Sequence, residues 1–83
     1  MSKVEVYGAD WCEDTQRARE HLERVGVAYK YINIEQDKDA SDWVKEQNGG
    51  KEKKPTIRVG QEVLTVPTDE ELESKLRAKG LID

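Results

Sequence analysis

The sequence predicts an α/β domain with a four-stranded mixed sheet and helices on both of its faces. Apolar residues alternate in short runs that suit strands and recur every three or four positions in longer runs that suit helices. These runs follow one another in the order β-α-β-α-β-β-α. A βαβ unit followed by a hairpin and a covering helix makes the first two strands parallel and the last two antiparallel. At 83 residues, we expect one domain over residues 1–83.

The first strand is predicted over residues 3–7, where Val4 and Val6 alternate with polar neighbours. The first helix follows over residues 13–25, because its apolar residues recur at helical spacing and its charged residues occupy the other face. Gly26 suits the left-handed conformation that often ends a helix.

Strands and helices continue to alternate in the middle of the chain. A β-branched and aromatic run over residues 27–34 predicts the second strand. Apolar residues at helical intervals predict the second helix over residues 37–48. Short strands over residues 56–59 and 62–65 are joined by a tight turn at Gly60, so they form a hairpin.

The third helix begins at a capping box, in which Thr68 and Glu71 satisfy each other's backbone N–H groups. Leu72 and Leu76 form its apolar face, and Gly80 ends it. We expect the first and third helices on one face of the sheet and the second helix on the other.

Charge and cysteine content narrow the classes of function. The net charge of -4 argues against general nucleic-acid binding, and no apolar run approaches membrane-spanning length. Cys12 is the only cysteine and His21 the only histidine, so we expect neither an internal disulfide nor a metal site. A lone free thiol favours a reducing, cytoplasmic setting. We expect a monomer.

Cys12 lies between the first strand and the first helix, at the edge where open α/β sheets place their sites. A helix start offers unpaired N–H groups and the positive end of the helix dipole, and both favour a nucleophilic thiolate. Glu13 and Asp14 oppose this effect with negative charge. The alternative is a small buried residue that fills space between strand and helix.

Two other positions suit a ligand, each with an ordinary structural alternative. Pro55 opens a strand after a loop, where a cis bond would leave the backbone of Lys54 free to pair with a peptide-like ligand; a trans proline is the alternative. Thr68 and Asp69 begin a helix whose N–H groups can bind a carboxylate, although plain capping also explains them.

Three segments together resemble a glutaredoxin, a family with the thioredoxin fold. They are residues 7–15 (YGADWCEDT), residues 48–50 (NGG) with the short loop to Pro55, and residues 66–69 (VPTD). The likeness covers essentially the whole chain and agrees with the order of elements. The sequence Cys-Glu-Asp-Thr stands in place of Cys-x-x-Cys, so the chain is similar to the monothiol type.

The resemblance implies a role for each of these positions. Cys12 is the nucleophile that attacks mixed disulfides of glutathione. Lys54, before a cis Pro55, pairs through its backbone with the cysteinyl part of glutathione. Thr68 and Asp69 bind the γ-glutamyl carboxylate.

The resemblance also implies that Gln47 or Lys51 meets the glycine carboxylate of glutathione. Apart from the resemblance, Trp11 lies beside the cysteine in the sequence, where it can shield the sulfur, offer a contact surface or cap the core. Thr15 can donate a weak hydrogen bond to the sulfur. The implied partners are a small thiol as co-substrate and thiolated proteins.

Three departures from the family pattern shape the expected chemistry. Thr15 replaces the resolving cysteine, which favours a monothiol mechanism for reducing mixed disulfides. Lys54 is larger than the usual β-branched residue before the proline. Val66 and Pro67 replace a usual pair of glycines, so the thiol is glutathione or a similar low-molecular-weight thiol.

Two alternative functions stay open. Two monothiol chains can share a [2Fe–2S] cluster with two glutathiones, although the Gly-Phe-Ser surroundings typical of that class are absent here. A degenerate redoxin fold can also serve only as an interaction domain.

Overall fold

The computed structural model describes residues 3–83 and confirms the predicted order of elements and the fold class. The elements are β1 (Val4–Gly8), α1 (Glu13–Arg24), β2 (Lys30–Asn33), α2 (Lys38–Gln47), β3 (Thr56–Val59), β4 (Glu62–Thr65) and α3 (Asp69–Ala78). None of these helices is both long and apolar enough to cross a membrane.

The four strands lie in the order β2-β1-β3-β4. β1 pairs in parallel with β2 and antiparallel with β3, and β3 pairs antiparallel with β4. The sheet is therefore mixed, as predicted, and β1 occupies a central position. Because β1 is central, the loop that follows it emerges between two neighbouring strands.

The main core lies between the sheet and the pair α1 and α3, as predicted. Its members are buried aliphatic residues of β1, α1, β3 and α3, together with one residue from the loop before β2: Val4, Val6, Ala18, Leu22, Val27, Ile57, Val59, Leu72 and Leu76. On the other face, Tyr7 of β1 packs against Trp43 of α2, with ring centroids 4.6 Å apart. The alternation along β1 thus sends successive side chains to opposite helical layers.

The second strand is shorter than predicted, covering Lys30–Asn33 instead of residues 27–34. Gly26 adopts a φ of 76°, and the N–H of Val27 bonds to the carbonyl of Leu22. These residues therefore cap the C-terminal end of α1 and do not take part in β2. The parallel register then begins with Glu5 opposite Lys30. The pairing with β1 therefore sets the length of β2.

Candidate active site

Cys12 is the residue that immediately precedes α1, and its backbone is extended, with φ of −79° and ψ of 120°. Its N–H donates to the carbonyl of Ala9 at 3.2 Å, and its carbonyl accepts from the N–H of Gln16 at 3.0 Å. Its side chain makes no capping bond, and it is half-buried. The thiol therefore lies at a helix start whose first N–H groups lack intrahelical acceptors, where an anion is favoured.

Thr15 is fully buried on the first turn of α1 and faces the end of β1. Its Oγ1 accepts a long hydrogen bond of 3.5 Å from the N–H of Ala9. A Cβ on Gly8 would lie 3.0 Å from the Cβ of Thr15, and closer still to its Oγ1 and Cγ2. The observed contacts of Thr15 thus fix the strand–helix junction, and its catalytic role stays a prediction.

The loop between β1 and Cys12 is held by side chains from neighbouring elements. Tyr31 of β2 donates to Asp10 Oδ1 at 2.6 Å, and Gln16 donates to the carbonyl of Asp10 at 2.7 Å. Burial, followed by the hydrogen bond to Asp10, raises the pKa of Tyr31 to about 12, so this donor keeps its proton at neutral pH. Trp11 is 64% exposed, but its indole N–H donates to Glu35 Oε2 at 2.8 Å.

Lys54 lies beside Cys12 and is followed by Pro55. The Lys54-Pro55 peptide bond is cis, as the resemblance implied, and Pro55 is buried. The thiol of Cys12 donates to the carbonyl of Lys54 at a sulfur–oxygen distance of 3.8 Å. The structure therefore brings the predicted nucleophile and the predicted backbone contact together.

The side chain of Lys54 turns toward Trp11 and Glu52. Its ammonium lies 5.2 Å from the centre of the Trp11 ring and 3.2 Å from Glu52 Oε1. The hydrogen bond from Lys54 holds the pKa of Glu52 below its usual value, so the pair stays ionised. This arrangement holds the ammonium of Lys54 beside the indole of Trp11, with its charge partly neutralised by Glu52.

A cavity of about 220 Å³ lies between α1 and the segment before α3. It is lined by Asp14, Arg17, Ala18, Val66, Pro67, Thr68 and Asp69. The N–H of Val66 donates to the carbonyl of Pro55 at 2.8 Å, which links this segment to the proline opposite Cys12. Thr68 and Asp69, predicted from the sequence, therefore line a cavity against the first turns of α1, the helix that Cys12 precedes.

Thr68 forms the predicted capping box at the start of α3. Its Oγ1 accepts from the N–H of Glu71 at 3.1 Å, and its own N–H donates to Glu71 Oε1 at 2.8 Å. Asp69 lies beside the buried His21 of α1, with 3.8 Å between Oδ2 and Nδ1. The ordinary structural role of Thr68 is thus observed, and carboxylate binding by Thr68 and Asp69 stays a prediction.

Gln47 and Lys51 are exposed at and after the end of α2. Within residues 3–83, no side-chain hydrogen bond or ion pair joins either residue to Cys12, Trp11 or Lys54. Their contact with a glycine carboxylate stays a prediction.

The structure adds residues that the sequence interpretation left out. Glu35 anchors Trp11, and Arg17 lines the cavity and bonds to Asp14. His21 has only 4% of its surface exposed, which its position three residues after the buried Ala18 could have indicated. No local sequence pattern indicates the role of Glu35, because its contact with Trp11 depends on the register between β1 and β2.

The arrangement provides one thiol, one backbone carbonyl beside it and a cavity between α1 and the segment before α3. No group of three or more His, Cys, Asp or Glu residues in the described part of the chain is placed to hold a metal ion. A cluster bound through Cys12 would therefore need its remaining ligands from outside this chain. The geometry suits attack by a single sulfur on a small disulfide.

The comparisons with known proteins agree with this geometry. The sequence model of the family described as Glutaredoxin matches residues 4–64. Mycoredoxin 1 of Corynebacterium glutamicum is 34% identical over 79 residues, which cover 94% of this chain and 98% of the relative. These matches support a glutaredoxin-type redox function, for which the family implies small-thiol and thiolated-protein substrates.

Two solved structures support the fold. The crystal structure of a thioredoxin-like protein has a TM-score of 0.82 at 26% identity, with 93% of this chain and 97% of that chain covered. A glutaredoxin from Archaeoglobus fulgidus has a TM-score of 0.76 at 23% identity, with 93% and 88% covered. The chain therefore belongs to the glutaredoxin family, has its thioredoxin-like fold, and with one cysteine fits the monothiol type.

Proposed function

We propose that the chain reduces mixed disulfides between proteins and a low-molecular-weight thiol, glutathione or a similar one, by a monothiol mechanism. The observation that carries this proposal is the position of Cys12. Its sulfur lies at the start of α1 and 3.8 Å from the carbonyl of Lys54, beside the cis proline.

The first step forms one sulfur–sulfur bond and breaks another. The thiolate of Cys12 attacks the small-thiol sulfur of the mixed disulfide, and the protein sulfur leaves as a thiolate that takes up a proton. The N–H groups at the start of α1 stabilise the attacking anion. The product is Cys12 joined by a disulfide bond to the small thiol.

The second step restores the enzyme. A second molecule of the small thiol, as its thiolate, attacks the small-thiol sulfur bound to Cys12, and the Cys12 thiolate leaves. The net reaction converts the mixed disulfide and one free thiol into a protein thiol and a small-molecule disulfide. Thr15 cannot resolve the intermediate because it has no thiol, so each turnover requires the second thiol.

The bound thiol extends from Cys12 in two directions. We place its cysteinyl backbone along Lys54, whose carbonyl already lies beside the sulfur. Its outer group then reaches the cavity at Thr68 and Asp69. Trp11, exposed and anchored by Glu35, offers the bound thiol a contact surface next to Cys12 in the chain.

The [2Fe–2S] module and the non-catalytic interaction domain remain alternative functions. A shared cluster predicts charge-transfer absorption after anaerobic purification. An interaction domain predicts an ordinary thiol with no exchange activity.

The first prediction tests the nucleophile by Cys12→Ser. In the presence of free glutathione, the wild-type chain should convert a glutathionylated peptide to the free peptide thiol, with formation of glutathione disulfide, and Cys12→Ser should lose this activity by at least about a thousandfold. Circular dichroism should show the same fold for both proteins.

The single cysteine gives this test a matched control. Alkylation of the wild-type chain modifies only Cys12, so the alkylated protein should match Cys12→Ser. Mass spectrometry should also find one small thiol per chain during turnover. Equal rates for wild type and Cys12→Ser with each small-thiol disulfide tried would refute the proposed function.

A further inference from the structure

Val66 has an unusual backbone conformation for its residue type. Its φ is 45°, and it is the single non-glycine residue with a positive φ within residues 3–83. A β-branched side chain strains this left-handed conformation, and such strain concentrates at ligand sites and other functional positions.

The strain at Val66 is not offset by burial of its side chain. The residue is 39% exposed, while its backbone N–H is fixed to the carbonyl of Pro55 at 2.8 Å. The side chain instead lines the 220 Å³ cavity together with Pro67. A branched apolar group therefore occupies space at the cavity where a glycine would leave it open.

The charges around this cavity disfavour an acidic ligand. Asp14 and Asp69 contribute two carboxylates, and Arg17 contributes the one guanidinium among the lining residues. Arg17 already bonds to Asp14. The Arg17–Asp14 pair is neutral as a whole, so the carboxylate of Asp69 leaves the lining with a net negative charge toward a ligand carboxylate.

The start of α3 is also occupied by its own acidic side chain. Glu71 Oε1 accepts the N–H of Thr68 at 2.8 Å, and Thr68 Oγ1 accepts the N–H of Glu71 at 3.1 Å. These two N–H groups would otherwise be available to an anion. A carboxylate from a ligand must compete with Glu71 for this position.

From these three observations, we propose that Val66 is a specificity-determining residue that selects against thiols with a bulky, carboxylate-bearing outer group. The favoured co-substrate has a compact, uncharged group beyond its sulfur. This inference rests on the proposed function, because it concerns the small thiol that joins Cys12.

The test measures how strongly Cys12 forms a disulfide with each of two thiols. The full chain is equilibrated separately with glutathione and its disulfide, and with 2-mercaptoethanol and hydroxyethyl disulfide. Intact-mass spectrometry gives the equilibrium constant for each adduct. The ratio of these constants reports selectivity without requiring turnover.

Val66→Gly should shift the ratio toward the glutathione adduct by about tenfold, because it opens the cavity and removes the strained side chain. Val66→Ala, which keeps a Cβ at the same φ, should shift it by less. Val63→Ala is the matched control, since Val63 lies on β4 and does not line the cavity. Its ratio should equal that of the wild type.

An unchanged ratio in Val66→Gly, or an equal shift in Val63→Ala, overturns the inference. Loss of the proposed function would appear separately, as failure of the wild-type chain to turn over any mixed disulfide. The adduct ratio still decides the role of Val66 in that case.

Discussion

The cavity between α1 and residues 66–69 forms a cleft with two unlike sides. On the side formed by β1 and α1, Ala9 and Thr15 have no exposed surface, whereas on the opposite side Val66 is 39% exposed at a φ of 45°. The first side is fixed by close contact between Gly8 and Thr15. The second is a short segment ahead of α3, linked to the sheet through the carbonyl of Pro55.

The two sides of the cleft meet two different requirements of the site. A nucleophile must keep its position relative to the helix start, and a close-packed junction resists displacement. The surface that receives the outer part of the thiol can change without moving the sulfur. We therefore expect substitutions on the first side to reduce stability strongly, and those on the second to change selectivity or reduce stability weakly.

The largest effect is expected for Gly8→Ala. Its new Cβ would overlap the side chain of Thr15, which is buried and cannot move away freely. The free energy of unfolding should fall by about 3 kcal/mol, measured by urea denaturation.

A double-mutant cycle shows whether Thr15 is the cause. In Gly8→Ala combined with Thr15→Ala, only the Cβ of residue 15 remains near, at 3.0 Å. The double variant should be less destabilised than the sum of the single variants, by about 1 kcal/mol or more. Gly49→Ala is the control for replacing a glycine by alanine without a steric overlap, because its site is open and only its φ of 66° opposes alanine. Additive losses would contradict the packing explanation.

A smaller effect is expected on the second side for Thr68→Ala. The change removes the hydroxyl that caps α3, while Leu72 and Leu76 keep the helix packed in the core. The free energy of unfolding should fall by about 1 kcal/mol. Thr68→Ser retains the capping oxygen and should retain most of the stability. If both variants lose equal stability, the methyl group rather than the cap supports this side.

Much of the fold could be predicted because its signals are local. The strands Thr56–Val59 and Glu62–Thr65 were predicted with their observed bounds, since a short hairpin is defined by its turn. The capping box at Thr68 is likewise encoded within four residues. In contrast, the start of β2 depends on its register with β1, which residue types alone do not specify.

The features of the candidate site also fall into those with a local sequence signal and those without one. The position of Cys12 at a helix start followed from the strand–loop–helix pattern, whereas its closeness to Lys54 came from family resemblance, since the two are 42 residues apart. The positive φ of Val66 could not be predicted from its residue type, because valine disfavours that conformation. It arises where β4 ends and the chain must turn into α3.

The smallest effect concerns the attachment of α3 to β4. Glu62 accepts from Lys75 at 2.6 Å and from Lys79 at 2.5 Å. The hydrogen bond from Lys75, followed by that from Lys79, lowers the pKa of Glu62 from 4.5 to about 2. Because the folded pKa is depressed, this contribution to stability is present above pH 4.5 and is lost as the pH falls toward 2.

Glu62→Gln should therefore be slightly less stable than the wild type above pH 4.5, and the difference should disappear near pH 2. Solvent exposure of Glu62 keeps the effect small, and added salt should reduce it further. Glu46→Gln is the control, since Glu46 is exposed on α2 and takes part in none of the ion pairs found within residues 3–83. A pH-independent difference would show that the amide acts through something other than charge.

Hydrogen exchange extends this last prediction to the two sides of the cleft. At neutral pH, Glu62→Gln should speed amide exchange in α3, because the ion pairs tie this helix to the edge strand β4. Amides of β1 and the first turn of α1 should exchange as in the wild type, since their protection comes from buried packing around Thr15. Equal acceleration on both sides would mean that the cleft opens as one unit, so that the two sides could not be varied independently.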